Sequence, residues 1–170
     1  MQISGRKWEK LLKSDIFSMF RGANALNLDS KGRLAIPTGY RSDLAERCGG
    51  KLVVTVNNTR ENCLWLYPMD EWSVVEKKVV GLSSFDPNHQ KLKRFLIGYA
   101  SDVEMDKSGR ILLPAPLREF AMLDKAVYLV GQGNKFEIWN EELWSAKCAQ
   151  WLKEDLDIEG MSAELEQISL

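Results

Sequence analysis

The sequence predicts a β-rich α+β protein made of two copies of one small unit, folded against each other about an internal pseudo-twofold. Three observations predict it. LDSKGRLAIPTGYR at 28–41 returns as MDKSGRILLPAPLR at 105–118, always 77 positions later, with Asp29/Asp106, Gly32/Gly109, Arg33/Arg110, Pro37/Pro114 and Arg41/Arg118 identical. LWLYPMDEW at 64–72 returns as FEIWNEELW at 136–144, now 72 positions later. Between the echoes, short apolar strands alternate with Gly- and Asn-marked turns, so that each half reads turn-bearing hairpin, short helix, strand hairpin, longer helix.

Taken in order, Asn24–Leu28 and Arg33–Ile36 flank a short turn and read as a β-hairpin, with Gly32 at the position that needs φ > 0. Asp29 opens that turn and can accept from backbone N–H groups two or three residues on. Pro37 stops the strand and suits the first turn of a helix with Tyr40, Leu44 and Cys48 on its apolar face and Gly49 as its stop. Gly49-Gly50 and Asn57-Asn58 mark turns, and they absorb the change in offset between the two echoes. Trp72, Val75 and Val79 form the stripe of the next helix. Asp86-Pro87 is an N-cap followed by Pro at the first helical position, and Leu92, Phe95, Leu96 and Tyr99 follow at i, i+3, i+4 and i+7. The second unit repeats the scheme: Asp102–Met105 and Arg110–Leu113 around Gly109, then Pro114 and a helix with Leu117, Phe120 and Ala121 inward. Asn140 before Glu141-Glu142 opens the last helix, with Trp144, Cys148 and Trp151 facing the core. An acidic tail runs from Asp155.

Neither half, at about 70 residues, buries much surface alone. Two hairpin-rich halves related by a pseudo-twofold can pair edge strands and share one core, as a homodimer does between chains.

Composition narrows the function. With 45% hydrophobic and 28% charged residues, the chain reads as an ordinary globular protein. No apolar run approaches the ~20 residues of a bilayer span. The N-terminal basic stretch lacks a secretory apolar core, so the expected location is the cytoplasm. Cys48, Cys63 and Cys148 are odd in number and form no C-x-x-C pair, which makes them small apolar residues; with only His89 to help, neither metal nor cofactor is expected. The net charge of −1 hides a gradient: residues 1–47 hold nine Lys/Arg against five Asp/Glu, and residues 137–170 hold two against nine. That polarity fits an anion-binding face opposite an acidic one, and equally an acidic terminus that only keeps the protein soluble.

The loops carry the sharper signal. A Gly-Arg pair at one hairpin tip is usually a solvated turn. Two copies at matching places shift the weighing, because turn chemistry demands that Asp and Gly recur but makes no demand on Arg33 and Arg110. Lys31, Arg41, Lys107 and Arg118 add cations near each tip. Twinned basic loops on a twofold scaffold fit double-stranded DNA, and Arg can fork onto a phosphate or onto guanine O6 and N7. Asp29 and Asp106 as a catalytic pair would lack the usual companions of acid–base or metal chemistry, and the chain is not expected to be an enzyme. Trp65, Trp72, Trp139, Trp144 and Trp151 sit among apolar neighbours, as core or subunit-interface residues rather than base-stacking platforms.

The phrases MFRGANALNLDSKGRLAIP, LYPMDEW, GYASDVEMDKSGRILLP and LVGQGNKFEIW closely resemble the MraZ family of bacterial transcriptional regulators. Those proteins are built from two tandem AbrB-like (SpoVT-AbrB) swapped-hairpin units. The resemblance implies an intramolecular pseudo-dimeric double barrel with flanking helices. It also implies a ring-shaped homo-oligomer and, in the nucleoid, binding to short G-rich direct repeats upstream of the division and cell-wall operon, the regulator's own gene typically included. Carried over by residue, DNA contact falls on Arg33 and Arg110, with Lys31, Arg21 and Lys107 as phosphate neighbours and Asp29, Gly32, Asp106 and Gly109 shaping the loops. The corresponding division is an extension at 1–18, read either as a basic segment that adds nonspecific DNA affinity or as sequence ahead of a start at Met19, a first repeat with linking helices at 19–100, and a second repeat with C-terminal helix and acidic tail at 101–170. Two alternatives differ in kind. An AbrB-like antitoxin would use the same hairpins, usually in one copy with a toxin-binding tail. A non-DNA interaction protein would work through its acidic C-terminal part.

Overall fold

The computed structural model describes residues 19–154 together with 167 and 168. The expectations for the 1–18 extension and for most of the acidic tail lie outside those residues. Among the described residues, eight strands and five helices follow in chain order. They are β1 (Ala23–Asn27), β2 (Arg33–Ala35), α1 (Thr38–Cys48), β3 (Lys51–Val56), β4 (Leu64–Pro68), α2 (Met69–Val80) and α3 (Pro87–Leu96), then β5 (Ser101–Glu104), β6 (Arg110–Leu112), α4 (Ala115–Phe120), β7 (Ala126–Gly131), β8 (Phe136–Asn140) and α5 (Glu141–Trp151).

The strands exchange between the two units, as the swapped-hairpin expectation has it, and not as the two local hairpins read from the turns. β1 and β2 do not pair with each other, nor do β5 and β6. A six-stranded antiparallel sheet runs β1-β7-β8-β4-β3-β5, and β2 pairs only with β6 as a separate two-stranded ribbon. β1 of the first copy lies on β7 of the second, with Leu26 opposite Val127, and β5 of the second lies on β3 of the first, with Leu52 opposite Val103. Exchanging the two copies in that order gives the same order reversed. The pseudo-twofold therefore passes between β4 and β8, where Leu64 faces Ile138, and through the ribbon, where Leu34 faces Ile111.

The reason lies in side-chain alternation. Leu34 and Ile36 of one copy and Ile111 and Leu113 of the other are fully buried, and they meet in one core with Leu52, Val54, Leu66, Leu129, Phe136 and Ile138 from both halves. Swapping strands lets each half cover the apolar face that the other exposes. β3 pairs with β4 and β7 with β8 inside one half, whereas β1, β2, β5 and β6 take their partners from the other.

Local signals place the helices well. Gly49 ends α1 at φ 63°, its N–H reaching Ala45 O at 2.9 Å while that of Gly50 reaches Leu44 O at 3.0 Å. Asp86 caps α3 by accepting from the N–H of Asn88 at 2.8 Å, and Asn140 caps α5 by accepting from that of Glu142 at 2.9 Å. Pro37 and Pro114 are themselves the capping residues of α1 and α4, one position earlier than expected. α2 and α3 cover the outer face of β3 and β4 through Trp72, Val79 and Leu96. Two expectations about faces need correcting. α5 buries none of its residues: Trp144 and Cys148 are half-buried and Trp151 is exposed, because this helix packs on β7 and β8 through Tyr128 and Trp139, and among the described residues no second helix covers its far side as α3 does for α2. α3 ends at Leu96, so of its stripe only Leu96 is core, while Phe95 and Tyr99 stack on each other at the surface. No described helix is long and apolar enough to cross a membrane.

Candidate nucleic-acid interface

The two D-x-x-x-R loops have the same construction. In the first, the Asp29 carboxylate accepts from the N–H groups of Lys31 and Arg33, both at 2.9 Å, and from Arg33 Nε at 2.6 Å. In the second, Asp106 accepts from the N–H groups of Ser108 and Arg110 and from Arg110 Nε, all at 2.9 Å. Asp29 N–H donates to Arg33 O at 3.0 Å and Asp106 N–H to Arg110 O at 2.9 Å, which closes each turn. These donors favour the charged carboxylate. The Arg33 backbone N–H, ahead of the guanidinium and the Lys31 N–H, holds the Asp29 acid down at about 2, and the Arg110 backbone N–H is the chief cause that lowers Asp106 below its ordinary value.

Asp29 thus closes the turn, as expected, and also aims Arg33. The basic residue is half-buried rather than free at the tip: its Nε is committed to the carboxylate, and among the described residues nothing accepts from its two Nη groups. Arg110 is held in the same way. An Arg fixed through Nε presents a preset planar fork at low entropic cost.

Strand pairing brings the two forks together. Gly32 O accepts from Leu113 N–H at 3.1 Å and Gly109 O from Ile36 N–H at 2.9 Å, so those pairs are hydrogen-bonded. By alternation, Arg33 opposite Leu112 and Ala35 opposite Arg110 are non-hydrogen-bonded pairs sharing the outer face, while Leu34 and Ile111 point into the core. Arg33 and Arg110 are then diagonal neighbours, roughly 7–8 Å apart at their backbones.

The structure adds a relation that local sequence does not show. Each loop glycine is pressed by an arginine of the other copy. A Cβ on Gly32 would stand 2.6 Å from Arg118 Cζ, and one on Gly109 would stand 2.3 Å from Arg41 Nε. Arg118 Nε donates to Leu113 O at 3.1 Å and Arg41 Nε to Ile36 O at 2.7 Å, so each guanidinium bridges the other copy's loop to its own strand end. The φ of 78° and 71° requires glycine at both positions, and an added Cβ would in addition displace the arginine packed there. Arg118 also lines an open cleft of about 540 Å³ beside Asp29, Ser30 and Lys125. The repeat in sequence was the available signal for Arg41 and Arg118, but their crossing could not be read from it.

Lys31 and Lys107 are exposed at the two tips. Arg21 lies just before β1, where its carbonyl accepts from the Tyr40 hydroxyl at 2.5 Å; it is across β1 from the first loop and beside the start of α1, whose Arg41 packs on Gly109 of the second. What assembles is one surface with Arg33, Arg110, Lys31, Lys107, Arg41 and Arg118 around the pseudo-twofold, against the carboxylates of Asp29 and Asp106. Among the described residues no cluster of His, Cys, Asp and Glu is disposed to hold a metal.

The comparisons with known proteins match this duplicated layout. The family described as "MraZ protein, putative antitoxin-like" matches residues 19–95 and again 96–159. The chain belongs to the MraZ family. Among curated relatives, the transcriptional regulator MraZ of Halorhodospira halophila is 47% identical over 156 residues, covering 89% of this chain and all of that one. The MraZ of Thioalkalivibrio sulfidiphilus is 49% identical over 152 residues with the same coverage. The MraZ of Shewanella amazonensis is 56% identical over 129 residues, 76% of this chain and 84% of its own.

Proposed function

We propose that this chain is a sequence-specific DNA-binding transcriptional regulator whose reading surface is the β2/β6 ribbon with its two loops. The observation that carries this reading is the preset pair of arginine forks on the outer face of a two-stranded ribbon. A ribbon of that width enters the major groove, and an arginine fork matches guanine O6 and N7. Arg33 and Arg110 read bases, Lys31 and Lys107 hold phosphates, and Arg41 and Arg118 brace the loops that present them. Short G-rich direct repeats upstream of the division and cell-wall operon, the chain's own gene included, are the proposed target. The cytoplasmic nucleoid is the proposed place of action.

Assembly belongs to the same reading. Phe95 is 39% exposed, Tyr99 42% and Met122 50%, an apolar surface that the pseudo-twofold core does not need. A homo-oligomeric ring would cover it and let several subunits engage successive repeats, each weak contact strengthened by effective concentration. The repeat boundaries at 19–100 and 101–170 serve this reading as units of sequence rather than as separable folding units.

The test is a gel-shift series at defined salt with the DNA upstream of the chain's own reading frame. Arg33→Ala should abolish preferred binding with fold and assembly intact, and Arg110→Ala should weaken it to an equal or smaller degree. Arg33→Lys keeps the charge without the fork, so affinity for random DNA should survive while the ratio of upstream to random affinity falls. Wild-type binding by both alanine variants would refute the reading. An unchanged ratio for Arg33→Lys would show that Arg33 holds phosphate only and that bases are read elsewhere.

A further inference from the structure

The outer face of the ribbon is not symmetric, and the asymmetry falls beside the arginines. Positions 35 and 112 are equivalent in the two copies, yet one holds Ala and the other Leu. Leu112 is 56% exposed, a large apolar side chain on the face that carries Arg33 and Arg110. It stands directly opposite Arg33 in a non-hydrogen-bonded pair, where backbones approach to about 4.5 Å and side chains lie closest. Arg110 has only the Ala35 methyl in the corresponding place.

Resting on the DNA reading above, we propose that Leu112 is a specificity-determining residue that packs on the C5-methyl of a thymine one base step from the guanine held by Arg33. The spacing suits this. Side chains on opposite residues of a ribbon sit about 4.5–5.5 Å apart, and successive bases of a strand are about 3.4 Å apart along the helix axis, so one pair spans adjacent steps. The chemistry suits it too, since the thymine methyl is the apolar group that the major groove displays. The flank of Leu112 explains why it meets bases rather than backbone. It lines an open groove of about 370 Å³ with Asp102, Glu104, Val103 and Pro114, and the two carboxylates there repel phosphate. The equivalents of Asp102 and Glu104 in the first copy are the uncharged Ala25 and Asn27. A pseudo-twofold protein therefore reads its DNA one-sidedly: guanine with thymine under Arg33 and Leu112, guanine without the methyl contact under Arg110 and Ala35. Such a reader orders its sites head to tail rather than as palindromes.

The experiment uses the upstream duplex that the full-length chain protects from nuclease, remade with each thymine singly replaced by deoxyuridine, which removes only the methyl. Wild type should lose about four-fold in affinity at one thymine adjacent to an Arg33-dependent guanine, the value of one buried methyl group. Leu112→Ala, which removes an exposed side chain and should leave the circular dichroism unchanged, should bind the parent duplex as weakly as wild type binds that deoxyuridine duplex and should be blind to the replacement. Ala35→Leu should acquire a second sensitive thymine. A uniform response of wild type to every replacement, or the same sensitive position in Leu112→Ala, overturns the Leu112 assignment while leaving an Arg33-dependent complex in place. Absence of any preferred upstream duplex overturns the DNA reading itself.

Discussion

Replacing Gly32 with Ala tests the crossed architecture, because the added carbon would collide with a residue 86 positions away in sequence. Two costs separate cleanly. The φ of 78° is strained for any L side chain, which costs about 1–2 kcal/mol. The new Cβ would also stand 2.6 Å from Arg118 Cζ and Nε and must push that guanidinium off the Leu113 carbonyl it donates to, a loss of about 1 kcal/mol. Gly32→Ala should therefore destabilise by about 2–3 kcal/mol in urea unfolding. In an Arg118→Ala background only the backbone cost should remain, so the double-mutant cycle should show about 1 kcal/mol of coupling. Gly49→Ala is the internal control: its φ is also left-handed, at 63°, but a Cβ there would meet nothing within 4 Å. It should show the backbone cost alone and no coupling to Arg118. If Gly32→Ala costs the same with and without Arg118, the second copy's arginine does not press on the first copy's loop and the crossed bracing is wrong.

Two further outcomes follow from the same surface. Because the folded Asp29 carboxyl lies near 2, below its ordinary value of 3.8, its contribution to loop order is complete above the ordinary value and is lost as pH falls through about 2. Carboxyl-carbon NMR should give an Asp29 midpoint near 2, with the Lys31 and Arg33 amide shifts moving in step; a midpoint near the ordinary 3.8 would mean that the loop is not closed by this acid. For assembly, light scattering should give a particle well above the 19.4 kDa monomer, and Phe95→Ser with Tyr99→Ser should reduce its mass while leaving the Leu96 core contact intact. A wild-type monomer at micromolar protein would remove the avidity mechanism.

What could be read from the sequence was what is determined locally. The caps at Gly49, Asp86 and Asn140, the loop glycines and the inward Leu34, Ile36, Ile111 and Leu113 follow from turn chemistry and period-two alternation, which a few neighbouring residues decide. Strand partners do not follow, because alternation says which face of β1 is apolar and nothing about whether β2 or β7 lies beside it. The same limit explains Trp151, whose apolar character does not reveal that among the described residues no second helix covers α5. Both Asp–Arg pairs were legible as motifs, whereas the diagonal meeting of Arg33 with Arg110 needed the ribbon register. The Gly32–Arg118 and Gly109–Arg41 crossings needed the swap itself.

The pairing of β1 with β7 also sets a timetable for synthesis. Leu26 must wait for Val127, about 100 residues behind it on the ribosome, and at ~5–20 residues per second that is roughly 5–20 s. During that interval the leading strand and the apolar underside of β2 have no native partner on their own nascent chain. A neighbouring chain on the same messenger RNA offers a finished β7 of identical register once its ribosome is about 100 codons ahead. Correct closure is thus a competition between a partner still being made and one already available next door, and the rate at which this message is translated should help to determine which of them β1 finds.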